Sequence, residues 1–283
     1  MFNSKTAFSN FINDTNVAGS GKAKSYIRAL DLLSEMLQKK PLGFSDCKNL
    51  WVVVSVDRLH ELYLFVINEG KKGDASAWNI SDIPTSYLQN GYCSAALKSY
   101  QEFLVEHVYQ QQLLGVFDQH TGDEDELVGK LKQDIRYPKF LLDNLDKKQG
   151  KEVVRSVRVR VNQNVFRLML LKIYNESCCI TGLNIPEVNR ASHIIPWSDD
   201  DDLRLNPHNG LFLSATYDAA FDKKLISLDE DFRIIISKDI SDHYKSDIVK
   251  KYFHKKAGDR ITLPSSYLPK QEYLEVHRGM GRF

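Results

Sequence analysis

Apolar residues recur every three to four positions through much of the first 115 residues. In 25–37 (SYIRALDLLSEML), Ile27, Leu30, Leu32 or Leu33, and Leu37 fall on one stripe, which predicts an amphipathic helix. Ser25 stands where an N-cap belongs, and Lys39-Lys40-Pro41 ends the pattern. A second helix is predicted over 57–68, opened by Asp57 and gathering Leu59, Leu62, Tyr63 and Val66. The apolar run 50–56 before it reads either as a buried strand or as the lead-in to that helix. A third helix, 95–111, lines up Leu97, Tyr100, Leu104, Val108 and Gln111. No internal repeat is visible.

The pattern then changes. Residues 116–150 change character: 121–126 are acidic, with Thr121 and Glu124 at capping-box spacing for a short helix, and 146–150 are polar and end in glycine. Residues 153–161 (VVRSVRVRV) alternate, which predicts a strand with its arginines on one face. A helix is predicted over 164–174, packing Val165, Leu168, Met169 and Leu171 inward. Short strands follow at 191–195 and 210–213. Residues 215–225 have helix spacing, with Tyr217, Ala220, Phe221 and Leu225 on one side. A hairpin at 225–228 and 232–237 turns at Asp229-Glu230-Asp231, and 239–253 reads as a helix. The expected class is α+β: an α-rich module over 1–115, a linker region over 116–150, and a mixed domain over 151–283.

Composition changes this picture little. Hydrophobic residues make up 42% of the chain and charged residues 27%, enough for a sizeable core. The net charge of +1 means that any grip on a polyanion must come from local patches. No apolar run approaches the ~20 residues of a membrane span, and Met1-Phe2-Asn3-Ser4-Lys5 has no signal-peptide core. A cytoplasmic protein with no membrane association is the default expectation. Cys47, Cys93, Cys178 and Cys179 form no C-x-x-C pair, so no zinc site of two such pairs can be built. Cys178 and Cys179 are expected to pack as small hydrophobes. Gly19-Ser20-Gly21-Lys22-Ala23 is not a phosphate loop, because Ala23 replaces the hydroxyl, Asn16 the first glycine, and no strand precedes it.

The chemistry gathers in 178–227. His193 ends an apolar turn, Asn209 sits between His208 and Gly210, and Asp218 and Asp222 lie four apart on the predicted helix, hence on one face. Strand, loop, strand and helix carrying His, Asn and acid in that order suit a one-metal phosphodiesterase site. Imidazole titrates near neutrality and can take a proton from water. Carboxylates suit Mg²⁺, which needs few protein ligands and keeps several waters.

The words Ser192-His193-Ile194-Ile195-Pro196-Trp197, Asn206-Pro207-His208-Asn209-Gly210-Leu211-Phe212-Leu213 and Asp218-Ala219-Ala220-Phe221-Asp222 resemble the HNH nucleases. Their catalytic unit is the ββα-metal motif, and the likeness is greatest to the restriction-type subgroup. It spans about residues 155–283. Gln163, Phe166 and Arg167 match a Q-x-x-F-R word of that subgroup. Ser25-Tyr26-Ile27-Arg28-Ala29-Leu30 and Gly91-Tyr92-Cys93-Ser94-Ala95-Ala96-Leu97 look like the modules that precede such domains.

The resemblance implies a Mg²⁺-dependent endonuclease, with Mn²⁺ as a substitute, acting on duplex DNA in restriction or phage defence. His193 would be the base and Asn209 would hold the histidine strand. Asp218 would be the metal ligand, with Asp222 as a second ligand or a structural cap. Many members carry an acid where Ser192 stands, and usually His or Asn where Asp218 stands. Arg155, Arg158, Arg160 and Arg167, with Arg204 and His208 nearer the site, are candidate phosphate contacts. The acidic run 199–202 reads as a solvated loop. Lys250, Lys251, His254, Lys255, Lys256 and Arg260 form a second basic cluster, and His277 and Arg278 stand either against DNA or exposed. The alternatives are an HNH-like nucleic-acid binder that does not cut, and an RNA-directed nuclease. A homodimer stays open.

Overall fold

A computed structural model describes residues 4–16, 21–133, 135–143, 145–198, 202–243 and 245–283. The chain forms two compact units, one from 1–109 with 136–154, the other from 110–135 with 155–283. The stretch expected to be a linker, 116–150, is thus shared between them. Most of the acidic run, 199–201, and Gly19 and Ser20 lie outside the described residues.

The first unit is helical. It holds α1 (Ser4–Thr15), α2 (Lys22–Lys39), α3 (Val56–Lys71), α4 (Ser86–Gln89) and the start of α5 (Tyr92–Asp118). Leu30, Leu33 and Leu37 of α2 and Leu59, Leu62 and Val66 of α3 are buried, as their spacing predicts. Phe8 meets Tyr100 edge-on at 5.3 Å between ring centres, and Tyr100 meets Trp51 in the same way at 5.4 Å. Residues 50–56 are the lead-in and not a strand: a 3₁₀ turn, Leu50–Val52, precedes Ser55, whose hydroxyl accepts from the Arg58 N–H at 3.2 Å and caps α3. Ser25 is not the cap of α2. The helix starts earlier, after Gly21 at φ 67°, and the Ser25 hydroxyl donates back to the Gly21 carbonyl at 3.2 Å. In α5, Val108 and Gln111 face outward, and Val105 and Tyr109 take the buried side instead.

In the second unit, α6 (Glu124–Leu131) is capped by Asp123, not by Thr121; the Asp123 carboxylate accepts from the Asp125 N–H at 3.0 Å. The predicted strand at 153–161 is instead part of a long helix, α7 (Lys147–Ile173). Val157, Val161 and Val165, four apart, are all buried. A spacing of four satisfies both the period of two and the period of 3.6, and burial selects the helix. The arginines therefore do not share one face. Arg155 and Arg158, three apart, lie on one side, while Arg160 and Arg167, seven apart, lie on another. Phe166 and Leu170, more than Leu168 and Leu171, fill the core side with Val165 and Met169.

The chain then builds β1 (Asn189–His193), β2 (Gly210–Ser214), α8 (Ala215–Asp222), β3 (Ile226–Leu228), β4 (Ile234–Ile236), α9 (Lys238–His243), α10 (Asp247–Tyr252) and α11 (Gln271–Gly279). The class is α+β, with the small sheets confined to the C-terminal part. β1 and β2 are antiparallel, with His193 opposite Gly210 and Ser192 opposite Leu211. β3 and β4 form the second hairpin, with Ile226 opposite Ile236. The helix predicted over 239–253 is two helices, because the Ser246 hydroxyl accepts from the Val249 N–H at 3.4 Å and starts α10 afresh.

A two-stranded ribbon is marginal alone, so its surroundings matter. Cys179 N–H donates to the Phe212 carbonyl at 2.9 Å, and Thr262 N–H donates to the Cys179 carbonyl at 2.8 Å. Both cysteines are buried and free of disulfides, and burial pushes the Cys179 thiol up. The far side is closed by α11. His277 is fully buried, in contrast to the exposed or DNA-facing position its sequence context suggests. Its Nε2 sits 3.0 Å from the Phe221 carbonyl, which can only accept, so Nε2 carries the proton. Its Nδ1 then accepts from the Ser227 hydroxyl at 2.9 Å, and the ring stacks on Phe221 at 3.8 Å. Arg278 is likewise structural, donating to the Leu228 carbonyl at 2.7 Å and pairing with Glu230 at 2.9 Å.

Burial pushes the His277 imidazole down to about 4. The unfolded chain then binds this proton more readily than the folded one. The stabilisation is complete above the ordinary value near 6.5 and is lost as pH falls toward 4. The shift is worth about 3 kcal/mol. The gap in unfolding free energy between wild type and His277→Gln is expected to shrink over that window, as denaturant titrations at several pH values will show. A gap that stays constant would mean that His277 does not titrate with folding.

Candidate active site

His193 is the last residue of β1. Its ring lies flat on Phe166 of α7, 3.7 Å away and within 12° of parallel, and Trp197 meets it edge-on at 5.3 Å. These two rings exclude water from most of the imidazole, and burial pushes it down to about 4. It is therefore neutral at pH 7. Nε2 lies 3.2 Å from the Arg204 carbonyl. A carbonyl only accepts, so the proton sits on Nε2 and Nδ1 keeps its lone pair. Among the described residues no group takes Nδ1. The result is a neutral, oriented imidazole with one open basic nitrogen.

Asn209 fixes the backbone around that ring. Its Oδ1 accepts from the Ile195 N–H at 2.8 Å, and its Nδ2 donates to the carbonyls of Ile195 at 3.2 Å and Leu203 at 3.4 Å. Its own carbonyl accepts from the Ile194 N–H at 3.0 Å. One buried side chain thus binds the exit of β1 to the connecting loop. Gly210, next in sequence, needs its missing side chain. A Cβ there would come within 2.5 Å of Leu170 Cδ1 and 2.8 Å of Phe166 Cζ. The glycine lets α7 press against the ribbon, and that contact puts Phe166 under His193.

The helix α8 brings the acids. Asp218 is half-buried and Asp222, one turn on, is exposed. Burial raises Asp218 above the usual carboxylate range. The Ser192 hydroxyl offsets part of that rise, the Asp222 charge adds to it, and Arg190 works against it. Ser192 is itself buried. Ser192, Asp218 and Asp222 therefore form an oxygen-rich corner in which two carboxylates repel. A hard divalent cation suits that donor set, since Mg²⁺ takes one or two carboxylates and fills the rest of its shell with water. Among the described residues, no three of His, Cys, Asp and Glu gather to hold a metal.

The other predicted contacts are scattered. The guanidinium of Arg167 donates to the Asn189 carbonyl at 2.6 Å and to that of Pro186, tying the start of β1 to α7. Arg204 donates from Nε to the Trp197 carbonyl at 3.2 Å, with its guanidinium over the Trp197 ring. Its carbonyl, not its charge, orients His193. His208 is buried, its Nδ1 2.7 Å from the Leu268 carbonyl and its Nε2 3.6 Å from Glu124, so it turns away from Asn209's bracket. Arg155 and Arg158 are exposed on α7, and Arg160 is half-buried. Asp202 pairs with Lys132 at 2.8 Å. Phe166 and Trp197, which bracket the histidine, were visible only as parts of longer words. Arg190, the cation that acts on Asp218, gave no sequence signal.

Residues 178–229 match the family model of the HNH endonucleases. This segment is an HNH endonuclease domain. The match runs from the buried cysteines through β1, β2 and α8 to the end of β3, and so contains His193, Asn209, Asp218 and Asp222. No curated protein matches the chain. The HNH domain implies a nucleic-acid substrate, and HNH nucleases use a divalent metal. No described helix is long and apolar enough to cross a membrane.

If Asn209 holds the loop as described, Asn209→Ala leaves the buried Ile195 N–H without an acceptor. The expected cost is about 1–3 kcal/mol. A thermal melt will read it, and Asn209→Asp, which keeps the acceptor but loses both donors, is expected to fall between. Equal stability of Asn209→Ala and wild type would remove Asn209 from this role.

Proposed function

We propose that the chain is a Mg²⁺-dependent endonuclease that hydrolyses duplex DNA, in a restriction or phage-defence setting. The observation that carries this reading is the neutral His193 with its open Nδ1, on the strand whose preceding residue faces Asp218. His193 accepts the proton of the attacking water at Nδ1. The carbonyl of Arg204 takes the Nε2 proton as a hydrogen bond, which stabilises the imidazolium that forms. Phe166 and Trp197 hold the ring plane and keep bulk water from it. Asn209 holds the backbone that carries the ring. Asp218 and Asp222 would hold the metal, with the Ser192 hydroxyl beside them. Bound there, the cation supplies charge stabilisation for the phosphate and the leaving oxygen. The restriction or defence setting rests on the likeness of the motif words to that subgroup, and so does DNA over RNA.

A second reading, an HNH-like domain that grips nucleic acid without cutting it, is favoured by one feature. Ser192 stands where an acid is common, and among the described residues no third acid or imidazole joins Asp218 and Asp222. Nicking or linearisation of supercoiled plasmid with Mg²⁺ or Mn²⁺, and its loss in EDTA, separates the two readings. Methylated and unmethylated plasmid test the restriction setting, and a structured RNA tests the sugar.

His193→Ala is expected to slow cleavage by roughly 10²–10⁴-fold while DNA affinity in EDTA stays near wild type. Asp218→Asn is expected to move the Mg²⁺ titration to higher concentration. If Asp222 is a ligand, Asp222→Asn moves the same midpoint; if it is only a cap, it lowers the melting temperature and leaves the midpoint alone. Full activity of Asp218→Ala at low Mg²⁺ contradicts the metal assignment.

A further inference from the structure

The chain that follows the hairpin β3–β4 folds back along its edge. The Gly258 N–H donates to the Ile234 carbonyl at 2.8 Å, the Ile234 N–H to the Asp259 carbonyl at 3.0 Å, and the Ile261 N–H to the Phe232 carbonyl at 3.1 Å. This pairing places Arg260 directly opposite Arg233 in an antiparallel bridge. Directly opposed residues share a face, about 4.5–5.5 Å apart at Cβ, and like charges there are destabilising. Both arginines are exposed. One hydrogen bond holds Arg233, from its Nη1 to the Gly258 carbonyl at 3.0 Å.

Three acids of this region pair with other cations. Asp259 pairs with Lys256 at 3.2 Å, Asp247 with Lys250 at 3.1 Å, and Glu230 with Arg278 at 2.9 Å. The Asp229 carboxylate accepts the N–H groups of Asp231 and Arg233 in its own turn. Lys251, at the end of α10, and Lys255, just after it, are exposed. Among the described residues, none of Arg233, Arg260, Lys251 and Lys255 has an acidic partner.

This basic segment is attached to the helix of the active site. The Tyr217 hydroxyl donates to the Tyr252 carbonyl, and the Tyr217 ring meets Phe253 edge-on at 5.8 Å. Tyr217 immediately precedes Asp218 on α8. Whatever binds the basic segment is therefore held in fixed relation to the Asp218 helix.

We propose that Arg233, Arg260, Lys251 and Lys255 form a phosphate clamp for duplex DNA, with the opposed arginines as its centre. A solvated lysine surface would account for Lys251 and Lys255. It leaves the opposed arginines unexplained, since they cost stability unless an anion lies between them. A phosphodiester backbone supplies that anion repeatedly and without regard to base sequence. The clamp would seat the duplex by its backbone, leaving base recognition to other surfaces. It rests on the nucleic-acid substrate proposed above.

The test is binding of a fluorescein-labelled duplex of arbitrary sequence, in EDTA so that nothing is cut, over a series of salt concentrations. The full chain is compared with Arg233→Gln/Arg260→Gln, with Lys251→Gln/Lys255→Gln and with the fourfold variant. Each lost phosphate contact lowers the slope of log K against log salt by about 0.9, so the fourfold variant loses as much as about 3.6. Melting temperature is read alongside. Removing the opposed arginine charges is expected to leave it unchanged or raise it, which a merely structural role of the pair would not do. The lysine pair touches only exposed side chains and keeps the test valid if the arginine variants fail to fold. Unchanged slopes in folded variants, or a parent chain that does not bind duplex DNA, overturn the clamp. So does a slope that falls on RNA but not on DNA. Plasmid cleavage by the parent is scored separately. A parent that binds with the expected slope but never cuts sinks the catalytic reading and leaves the clamp standing. A parent that cuts while the fourfold variant keeps its slope sinks the clamp alone.

Discussion

The HNH domain depends on the three hydrogen bonds of one buried amide. Asn209 takes the N–H of Ile195 and gives to the carbonyls of Ile195 and Leu203, so the end of β1 and the loop after it cannot move apart. Two strands of five residues would not hold this geometry alone. With the amide in place, His193 reaches the Arg204 carbonyl, and Gly210 lies where α7 can press Phe166 and Leu170 against the ribbon. The orientation of the His193 ring, its tautomer and its stacking partner all follow from the same bracket.

Around this bracket, buried hydrogen bonds tie the corners of the domain together. Arg167 ties the start of β1 to α7 through two carbonyls. The Asn189 side chain donates to the carbonyls of Leu183 at 2.7 Å and Glu176 at 3.3 Å. His277 locks α11 to α8 and β3 as His193 is locked to α7, with a flat phenylalanine beneath and a carbonyl on Nε2. The two histidines differ at the other nitrogen. In His277 the Ser227 hydroxyl fills Nδ1, and in His193 nothing described does. That single difference leaves His193, and not His277, with an open basic nitrogen.

The strands and helix that carry His193, Asn209 and Asp218 are legible because they are local. His193, Asn209 and Asp218 lie within one short stretch, and the alternation of strand, turn and helix over it is carried by adjacent residues. The helices α2 and α3 were legible for the same reason, from period alone. What failed was either ambiguous or distant. Valines four apart at 157, 161 and 165 satisfy strand and helix alike, and only the core of α7 decided between them. His277 and Arg167 read as exposed or phosphate-facing. Their partners, Phe221 and Ser227 for one and Asn189 and Pro186 for the other, are brought in from far along the chain. The break between α9 and α10 turned on one serine cap inside an otherwise continuous pattern.

His193 is a neutral imidazole with its proton on Nε2 and its lone pair on Nδ1. Long-range ¹⁵N–¹H correlation spectra of histidine-labelled protein, with His193→Gln to assign the resonance, read both nitrogens directly across a pH titration. The expected result is a neutral ring with Nε2 protonated that does not take a second proton until pH falls to about 4. A ring that titrates near 6.5, or one that carries its proton on Nδ1, would contradict it.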